Sequence, residues 1–345
     1  MIGGNGTRAG DLLGLLQKIS RIGGEPSEIL EKAGAPCSLA DLEAGRATRV
    51  ERRHLVAIYR ECIVTIGWHS SRLDRKPQMH PDEFRLMCHC VATSRTLARV
   101  IDRQAMFFRT RHERLSTISL EVGEGSGHVL VDTLRRRKSF SSFLSDLAGM
   151  SVFCRLYGWL LGTGEHVFRV GLAYGEGYAN EAVSDLFAGQ LEFGCPVNRI
   201  SFPVHMLDMP VVRTPDELEA LLVDFPFDFL AAEPDTLALP DRIRTLYAIA
   251  LSREGRLPGL DRLARLTGQS GSTLRRRLAD EGISVRALRE QAQKGVAIEA
   301  LKSGRCSIDD VALRAGFRDG DSFRAAFRRW TGVSPSRFRA GIRAA

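Results

Sequence analysis

The chain has 345 residues, 44% of them hydrophobic and 26% charged, a composition that excludes a fibrous or disordered protein and fits two or three globular domains. No stretch reaches the roughly 20 apolar residues of a membrane span, and the start, MIGGNGTRAGD, lacks a secretory pattern, so we expect a cytoplasmic protein without a membrane partner. The net charge of +8 comes from residues 241–345, which hold 22 Lys and Arg against 11 Asp and Glu, whereas residues 1–240 hold 27 against 30.

Helical and strand patterns alternate over the first 235 residues. Two helices are predicted within 10–36, separated by a Gly-Gly-Glu-Pro break, and the glycine-rich GEGSG at 123–127 predicts a β-hairpin over 114–134. Further helices are predicted at 49–67, 93–111, 141–162 and 214–222, and further strands at 165–174 and 192–207. The predicted buried faces are Leu55, Ile58, Tyr59, Cys62 and Ile66 in one helix, and Leu97, Val100, Ile101, Ala105 and Phe108 in another. This mixture predicts an α+β domain.

Catalytic motifs are absent from this part of the sequence, which has no HExxH, GxSxG, P-loop or GxGxxG after a strand. We therefore expect no enzyme and no cofactor. CHC at 88–90 lacks a second ligand pair at zinc spacing, so we expect no metal site. RRRK at 135–138 is interpreted as a solvated strand end, and it is the first candidate for an anion site if an effector carries a carboxylate or phosphate. The sequence indicates no other residues for an effector site.

A stretch with three prolines, DFPFDFLAAEPDTLALPD at 224–241, lies between the near-neutral part and the basic third. Proline removes a backbone donor and disfavours helix at the residue before it. We therefore predict a linker at 224–241 that separates a domain at 1–223 from a domain at 242–345.

The basic third begins with a predicted helix at 241–253, followed by two helices close together in LDRLARLTGQSGSTLRRRLADEG, residues 260–282. Ala264 lies in the first of these, and Gly268 is predicted to end it. Ser270 is predicted to cap the second, which carries Leu274 and Leu278 on its apolar face. A small alanine followed four residues later by a turn glycine lets two helices cross closely, which predicts a helix-turn-helix.

The same plan recurs 48 residues later, where Ala312, Gly316, Phe323 and Phe327 repeat the apolar and glycine positions. We therefore predict a duplicated helix-turn-helix, with a connecting helix between the two units. Leu288, Ala292, Ala297 and Leu301 are available for its packing.

The second repeat carries a family signature. SIDDVALRAGFRDGDSFRAAFRRWTGVSPSRFR, residues 307–339, combines Gly-Phe, Phe-x3-Phe and Thr-Gly-x-Ser-Pro-x-x-Phe-Arg. Residues 255–339 thereby resemble the DNA-binding domain of the AraC/XylS transcription regulators. The resemblance implies an all-α domain in which both second helices enter the major groove of double-stranded promoter DNA, with RNA polymerase as a further partner. The excess of arginine, 20 of the 22 basic residues, fits contacts to phosphate and guanine.

Residues on the outward faces of the two second helices are the predicted DNA contacts. Asp321 is expected either to bind a cytosine amino group or to cap its helix. Ala325 and Gln293 stand where the family frequently has arginine, so we expect the first unit to contribute more base recognition. The predicted contacts are Ser272, Thr273, Arg275 and Arg276 in the first unit, Asp321, Ser322 and Arg324 in the second, and Arg328, Arg329 and Arg337 for phosphates.

The first part of the chain is similar, more diffusely, to the large arabinose-binding-type N-terminal domain of AraC-type regulators of amino-acid and organic-acid catabolism. ILEKAGAP, TSRTLARV and FGCPV carry this similarity. It implies that residues 1–223 bind a small-molecule effector and form a homodimer. Two alternatives stay open: a domain that only dimerises or binds a protein partner without a ligand, and a catalytic domain directed to DNA.

Overall fold

The computed structural model describes residues 9–47, 49–74, 78–111, 116–135, 138–178, 186–187, 189–228, 238–267, 269–303 and 306–344. Gly268, residues 136–137 of RRRK and residues 229–237 of the predicted linker lie outside this description. The chain divides into two compact units, Met1–Thr236 and Leu237–Ala345, and the division falls within the 224–241 stretch. None of the helices in the described ranges combines the length and apolar composition needed to cross a membrane.

The first unit is α+β, as predicted. It contains eight named helices and five strands among its described residues. Short 3-10 turns at Glu165–Val167, Glu176–Tyr178 and Val204–Asp208 join some of them. The elements are α1 (Ala9–Arg21), α2 (Pro26–Lys32), α3 (Leu39–Glu43), α4 (Arg52–Asp74), α5 (Pro81–Ala92), α6 (Leu97–Thr110), β1 (Thr117–Val122), β2 (Ser126–Asp132), α7 (Phe140–Leu161), β3 (Arg169–Gly171), β4 (Gln190–Glu192), β5 (Asn198–Pro203) and α8 (Pro215–Leu221).

The sheet has the strand order β1-β2-β5-β3-β4, and one apolar row crosses it completely. Successive residues on a strand face opposite sides of the sheet, so aligned partners form such a row. The row consists of Leu120, Val129, Ile200, Val170 and Leu191. β3 and β4 pair in parallel, and β3 is shorter than the predicted 165–174.

Helix α7 lies at the centre of this unit, with 17 of its 22 residues buried. Ser139 begins it by accepting the amide of Ser142 at 3.1 Å, and Gly162 ends it with φ +63°. The predicted buried faces of α4 and α6 are confirmed, since all ten of those side chains are buried. Helix α5 was not predicted. Its Cys88 is fully buried and its Cys90 exposed, so the two thiols of CHC face different ways.

A buried carboxylate, Asp146 on α7, joins distant parts of the first unit. Its oxygens accept hydrogen bonds from Arg135 Nε at 2.6 Å, Tyr174 OH at 2.7 Å, Asn198 Nδ2 at 3.1 Å and Thr133 Oγ1 at 3.1 Å. The Asp146 side chain is 2% exposed and that of Arg135 15%. The interpretation of 135–138 as a solvated strand end is therefore wrong at Arg135, because burial beside Asp146 requires that arginine as the counter-charge.

Residues 222–228, at the end of the first unit, are fastened by arginines from three helices. Arg85 on α5 donates to the Leu222 carbonyl at 3.0 Å, and Arg52 on α4 pairs with Asp224 at 3.1 Å. The described start of the predicted linker is thus packed against the helices of the first unit.

Arg155 on α7 makes the most buried contacts in this set. It donates to the Pro226 carbonyl at 3.1 Å, forms an ion pair with Asp228 and stacks 5.0 Å from the centre of the Phe225 ring. Both partners of the ion pair are about one-tenth exposed. We call Arg52, Arg85 and Arg155 the arginine clamp.

Among its described residues, the second unit contains helices joined by turns and no strand. Its core joins the predicted apolar positions Ala297, Leu301, Ala312, Phe323 and Phe327, all of them buried. The helices are α9 (Leu239–Glu254), α10 (Leu260–Leu266), α11 (Gly271–Asp280), α12 (Val285–Ser303), α13 (Ile308–Arg314), α14 (Gly320–Thr331) and α15 (Pro335–Ala344).

Candidate nucleic-acid interface

The first helix-turn-helix is formed by α10 and α11. Ala264 is 4% exposed, and the turn after α10 is closed by the Gln269 amide, which donates to the Ala264 carbonyl at 2.9 Å. Ser270 caps α11 by accepting the Thr273 amide at 3.1 Å. Leu274 and Leu278 are buried, so α11 is fixed along one face and open along the other.

The open face of α11 carries three consecutive exposed arginines, Arg275, Arg276 and Arg277. Among the residues that the structure describes, none accepts a hydrogen bond from these side chains or pairs with them. Arginine has five N–H donors in a planar fork, suited to guanine edges and phosphates. Arg277 was not among the predicted contacts, which were the positions turned away from Leu274 and Leu278.

The predicted hydroxyl contacts at the start of α11 already have partners. Ser272 Oγ lies 2.9 Å from Ser270 Oγ, and Thr273 Oγ1 lies 2.8 Å from the same atom. Ser272 is exposed and Thr273 is half-buried. A hydroxyl has one donor and two acceptor sites, so each retains capacity for a further hydrogen bond.

The second helix-turn-helix is formed by α13 and α14. Gly316 has φ +76°, and a Cβ atom there would lie 2.6 Å from Leu251 Cδ2 of α9, so this position favours glycine. Ala312 is 1% exposed, and Phe323 and Phe327 are fully buried with their rings 5.6 Å apart. Phe338 of α15 packs against Phe327 at 5.4 Å.

The cap of α14 is Asp319. Its carboxylate accepts the Ser322 amide at 2.7 Å and the Ser322 hydroxyl at 2.9 Å, and the Ser322 amide lowers the pKa of Asp319. Asp321 does not cap the helix, because it is the second residue of α14 and the N-cap position before the helix belongs to Asp319. Asp321 pairs instead with Arg324 at 2.8 Å.

The arginines predicted to bind phosphates differ in their surroundings. Arg328 and Arg337 are exposed, and no carboxylate within the described residues pairs with them. Arg329 pairs with Glu290 of α12 at 3.3 Å and is 61% exposed. Since an exposed pair of this kind contributes little energy, phosphate can compete with Glu290 for Arg329.

The connecting helix α12 also contacts the second helix-turn-helix through the side chains of Gln293 and Lys294. Gln293, which is 6% exposed, donates to the Ala315 carbonyl at 2.9 Å, and Lys294 donates to the Trp330 carbonyl at 2.9 Å. Gln293 therefore fastens the turn between α13 and α14, and its amide lies inside the fold.

The CHC segment at 88–90 and the nearby His80 have structural roles in the first unit. The His80 ring accepts the Asp82 amide at 3.2 Å and caps α5, while Cys88 is buried in the core. Within the described ranges, no cluster of three or more His, Cys, Asp or Glu side chains is arranged to hold a metal ion.

Two family models match the chain. The arabinose-binding N-terminal domain of AraC transcription regulators matches residues 23–211, more than half of the chain, and a helix-turn-helix domain matches residues 263–341. The second match covers α11 and α14 together with the α12 helix between them.

Individual relatives agree with these matches. The chain is 31% identical to the ornithine utilization regulator of Pseudomonas aeruginosa over 172 residues, 50% of each chain. It is 40% identical to the transcriptional regulator VqsM of the same organism over 82 residues, 24% of this chain and 25% of that one. The chain thus spans half or less of the length of these curated relatives.

A crystal structure of the transcriptional regulator CdpR from Pseudomonas aeruginosa is 18% identical with a TM-score of 0.31, covering 95% of this chain and 96% of that one. The family models and curated relatives are transcription regulators and not enzymes. The chain belongs to the AraC family of transcription regulators, with an arabinose-binding-type N-terminal domain followed by a helix-turn-helix domain.

Proposed function

We propose that the protein binds specific sequences of double-stranded promoter DNA through both helix-turn-helix units and thereby regulates transcription. The three exposed arginines of α11, which have no partner among the residues that the structure describes, carry this proposal. Such a face binds phosphates in any sequence and guanine in particular ones. Because the helix-turn-helix is duplicated, α14 is a second DNA-binding helix in the same domain, and one chain would contact two segments of the major groove.

We further propose that residues 1–223 bind a small-molecule effector and form a homodimer, with 224–241 as the linker to the DNA-binding domain at 242–345. The relative named for ornithine utilization supports an effector related to amino-acid metabolism. RNA polymerase is the further partner that we propose, and the cytoplasm the location. The alternative is an N-terminal domain that only dimerises or binds a protein partner, without a ligand.

The arginine clamp supports effector control. Residues 222–228 precede the second unit in the chain. They contact α4, α5 and α7, which also contribute to the core of the first unit. A ligand that shifts these helices would move the start of the linker with them. The effector then controls DNA binding by binding one arrangement of the arginine clamp more tightly than the other.

Substitution of α11 arginines tests the DNA-binding proposal. Arg275→Ala and Arg276→Ala are compared with wild type on an operator selected from random DNA and then varied one base pair at a time. A bidentate contact predicts a loss of about 1–3 kcal/mol of discrimination at one base pair. Lys302→Ala, which removes one exposed charge at the end of α12, is the control. Unchanged discrimination in both arginine variants would contradict base recognition by α11.

A thermal-shift screen of the full chain tests effector binding, using amino acids, organic acids, acyl compounds and sugars. A ligand at a hundred times its Kd stabilises the folded state by about 2.7 kcal/mol, which raises the melting temperature of the first unit. In wild type, a ligand that raises the melting temperature should also change the affinity for DNA. If Arg155→Ala keeps the thermal shift and loses the change in DNA affinity, the result supports control through the arginine clamp. If no compound shifts the melt while DNA does, the ligand-independent alternative is favoured.

A further inference from the structure

Arg324 on α14 lies between two carboxylates. Its Nη1 donates to Asp321 Oδ1 at 2.8 Å, and its Nη2 donates to Asp309 Oδ1 at 3.0 Å. Asp321 belongs to the same helix, whereas Asp309 belongs to the first turn of α13. The guanidinium thus contacts both helices of the second helix-turn-helix, while 48% of the Arg324 side chain, 73% of Asp309 and 95% of Asp321 stay exposed.

Gly320 makes room for this arrangement. A Cβ atom at Gly320 would lie 2.4 Å from Asp309 Oδ1 and 3.2 Å from Arg324 Nη1. Any side chain there would push the Asp309 carboxylate away from the guanidinium. Because Asp309 is an exposed side chain, this displacement would alter its contact with Arg324 and leave the packing of α13 on α14 little changed.

The charge pattern argues against a simple phosphate contact. Two carboxylates beside one guanidinium leave this end of α14 with a net negative charge, which repels the DNA backbone. Two of the five N–H groups of Arg324 are used by Asp309 and Asp321, and three remain. Guanine O6 and N7 require two donors, so Arg324 retains enough for a bidentate contact.

We propose that Asp309 and Asp321 are positioning residues that hold Arg324 for recognition of one guanine by the second helix-turn-helix unit. This inference rests on the proposed DNA-binding function. Holding the side chain before binding reduces the rotamer entropy that a flexible arginine loses on contact. The two carboxylates weaken binding to arbitrary DNA and strengthen the choice of base at one position.

The test measures the affinity of the full-length chain for operator DNA in which each base pair is varied in turn. Wild type is expected to prefer guanine at one base pair in the second half of the site, by roughly five- to a hundredfold. Arg324→Ala is expected to abolish this preference. Asp309→Asn and Asp321→Asn are expected to reduce it at least fivefold while raising affinity for random DNA. Asp280→Asn, at the exposed end of α11, makes the same charge change and is expected to leave the preference intact.

Gly320→Ala separates positioning from charge, because it displaces the Asp309 carboxylate without altering the net charge. It is expected to reduce the guanine preference as Asp309→Asn does, without the gain in affinity for random DNA. Equal melting temperatures of the variants and wild type establish that they are folded.

Three results would overturn the inference. One is that Asp309→Asn and Asp321→Asn strengthen binding to every sequence while the preference stays unchanged, so that the carboxylates act only by repulsion. Another is a cytosine preference that depends on Asp321 and not on Arg324. The third is a preference due to Arg275 or Arg276 with none due to Arg324, which refutes the positioning role and leaves the proposed function intact. A wild-type chain without any base preference contradicts both.

Discussion

Replacement of Phe323 by alanine tests the core of the second helix-turn-helix unit. The ring is fully buried, with its centre 5.5 Å from that of Phe317 and 5.6 Å from that of Phe327. Truncation removes both ring contacts and leaves a cavity between α13 and α14. A Phe→Ala change of this kind costs about 3–5 kcal/mol, a large part of the roughly 5–15 kcal/mol that stabilises a domain.

Trp330 provides the signal for the assay, since its ring lies 5.8 Å from Phe317 in the same cluster. The other tryptophans, Trp68 and Trp159, belong to the first unit and are replaced by phenylalanine in the reference chain. With a urea dependence of about 2 kcal/mol per M, a loss of about 4 kcal/mol lowers the unfolding midpoint by roughly 2 M.

The matched control is Arg328→Ala, an exposed change on the same helix that should alter stability by no more than about 0.5 kcal/mol. If Phe323→Ala unfolds at the same urea concentration as Arg328→Ala, the assignment of the core face of α14 is refuted. A lower midpoint for both variants would show that α14 is sensitive to any truncation, which the cavity argument does not predict.

Three other changes give defined outcomes. Asp146→Ala leaves Arg135 buried without its counter-charge and should destabilise the first unit by about 3–5 kcal/mol in urea unfolding, and a loss below about 1 kcal/mol would contradict this. Burial raises the pKa of Glu165, so the stability that protonated Glu165 contributes is fully present below its unfolded pKa and is lost as pH rises through its folded pKa. Since Gln cannot ionise, the melting temperature of Glu165→Gln relative to wild type should rise with pH. Parallel pH profiles of the two melting temperatures would refute this. Arg328→Ala should lower the slope of log affinity against log salt by about 1 if Arg328 binds phosphate, and an unchanged slope excludes that contact.

Periodic apolar residues made much of the fold predictable. The stripes Leu55 to Ile66 and Leu97 to Phe108 are buried on α4 and α6, and the Ala312, Phe323 and Phe327 positions form the core of the second helix-turn-helix. These positions are predicted by the helical spacing of apolar residues, which is visible in the local sequence. The cap at Ser270 was predictable for the same reason, because a cap acts on an amide three residues away.

Contacts between distant residues were not predictable. Asp146 joins side chains from Thr133 to Asn198, and only the folded chain brings them together, so RRRK at 135–138 resembled a solvated strand end. Helix α5 was missed although local sequence carries its signals, with Pro81 at the first position, Asp82 and Glu83 in the first turn, and Met87, Cys88 and Val91 buried. The sequence offered two acidic residues near the start of α14, and the position of the helix start decides that Asp319 is the cap and that Asp321 is left to pair with Arg324.

The affinity ratio between two duplexes measures directly whether this chain recognises specific DNA. One duplex carries a sequence selected by the full-length protein from random DNA, and the other carries the same bases in scrambled order. Fluorescence anisotropy at a fixed near-physiological salt concentration measures both dissociation constants. We expect a ratio of about a thousandfold or more in favour of the selected duplex. Equal affinities would show that the arginines of α11 contact only phosphates, and they would contradict specific recognition of DNA by this chain.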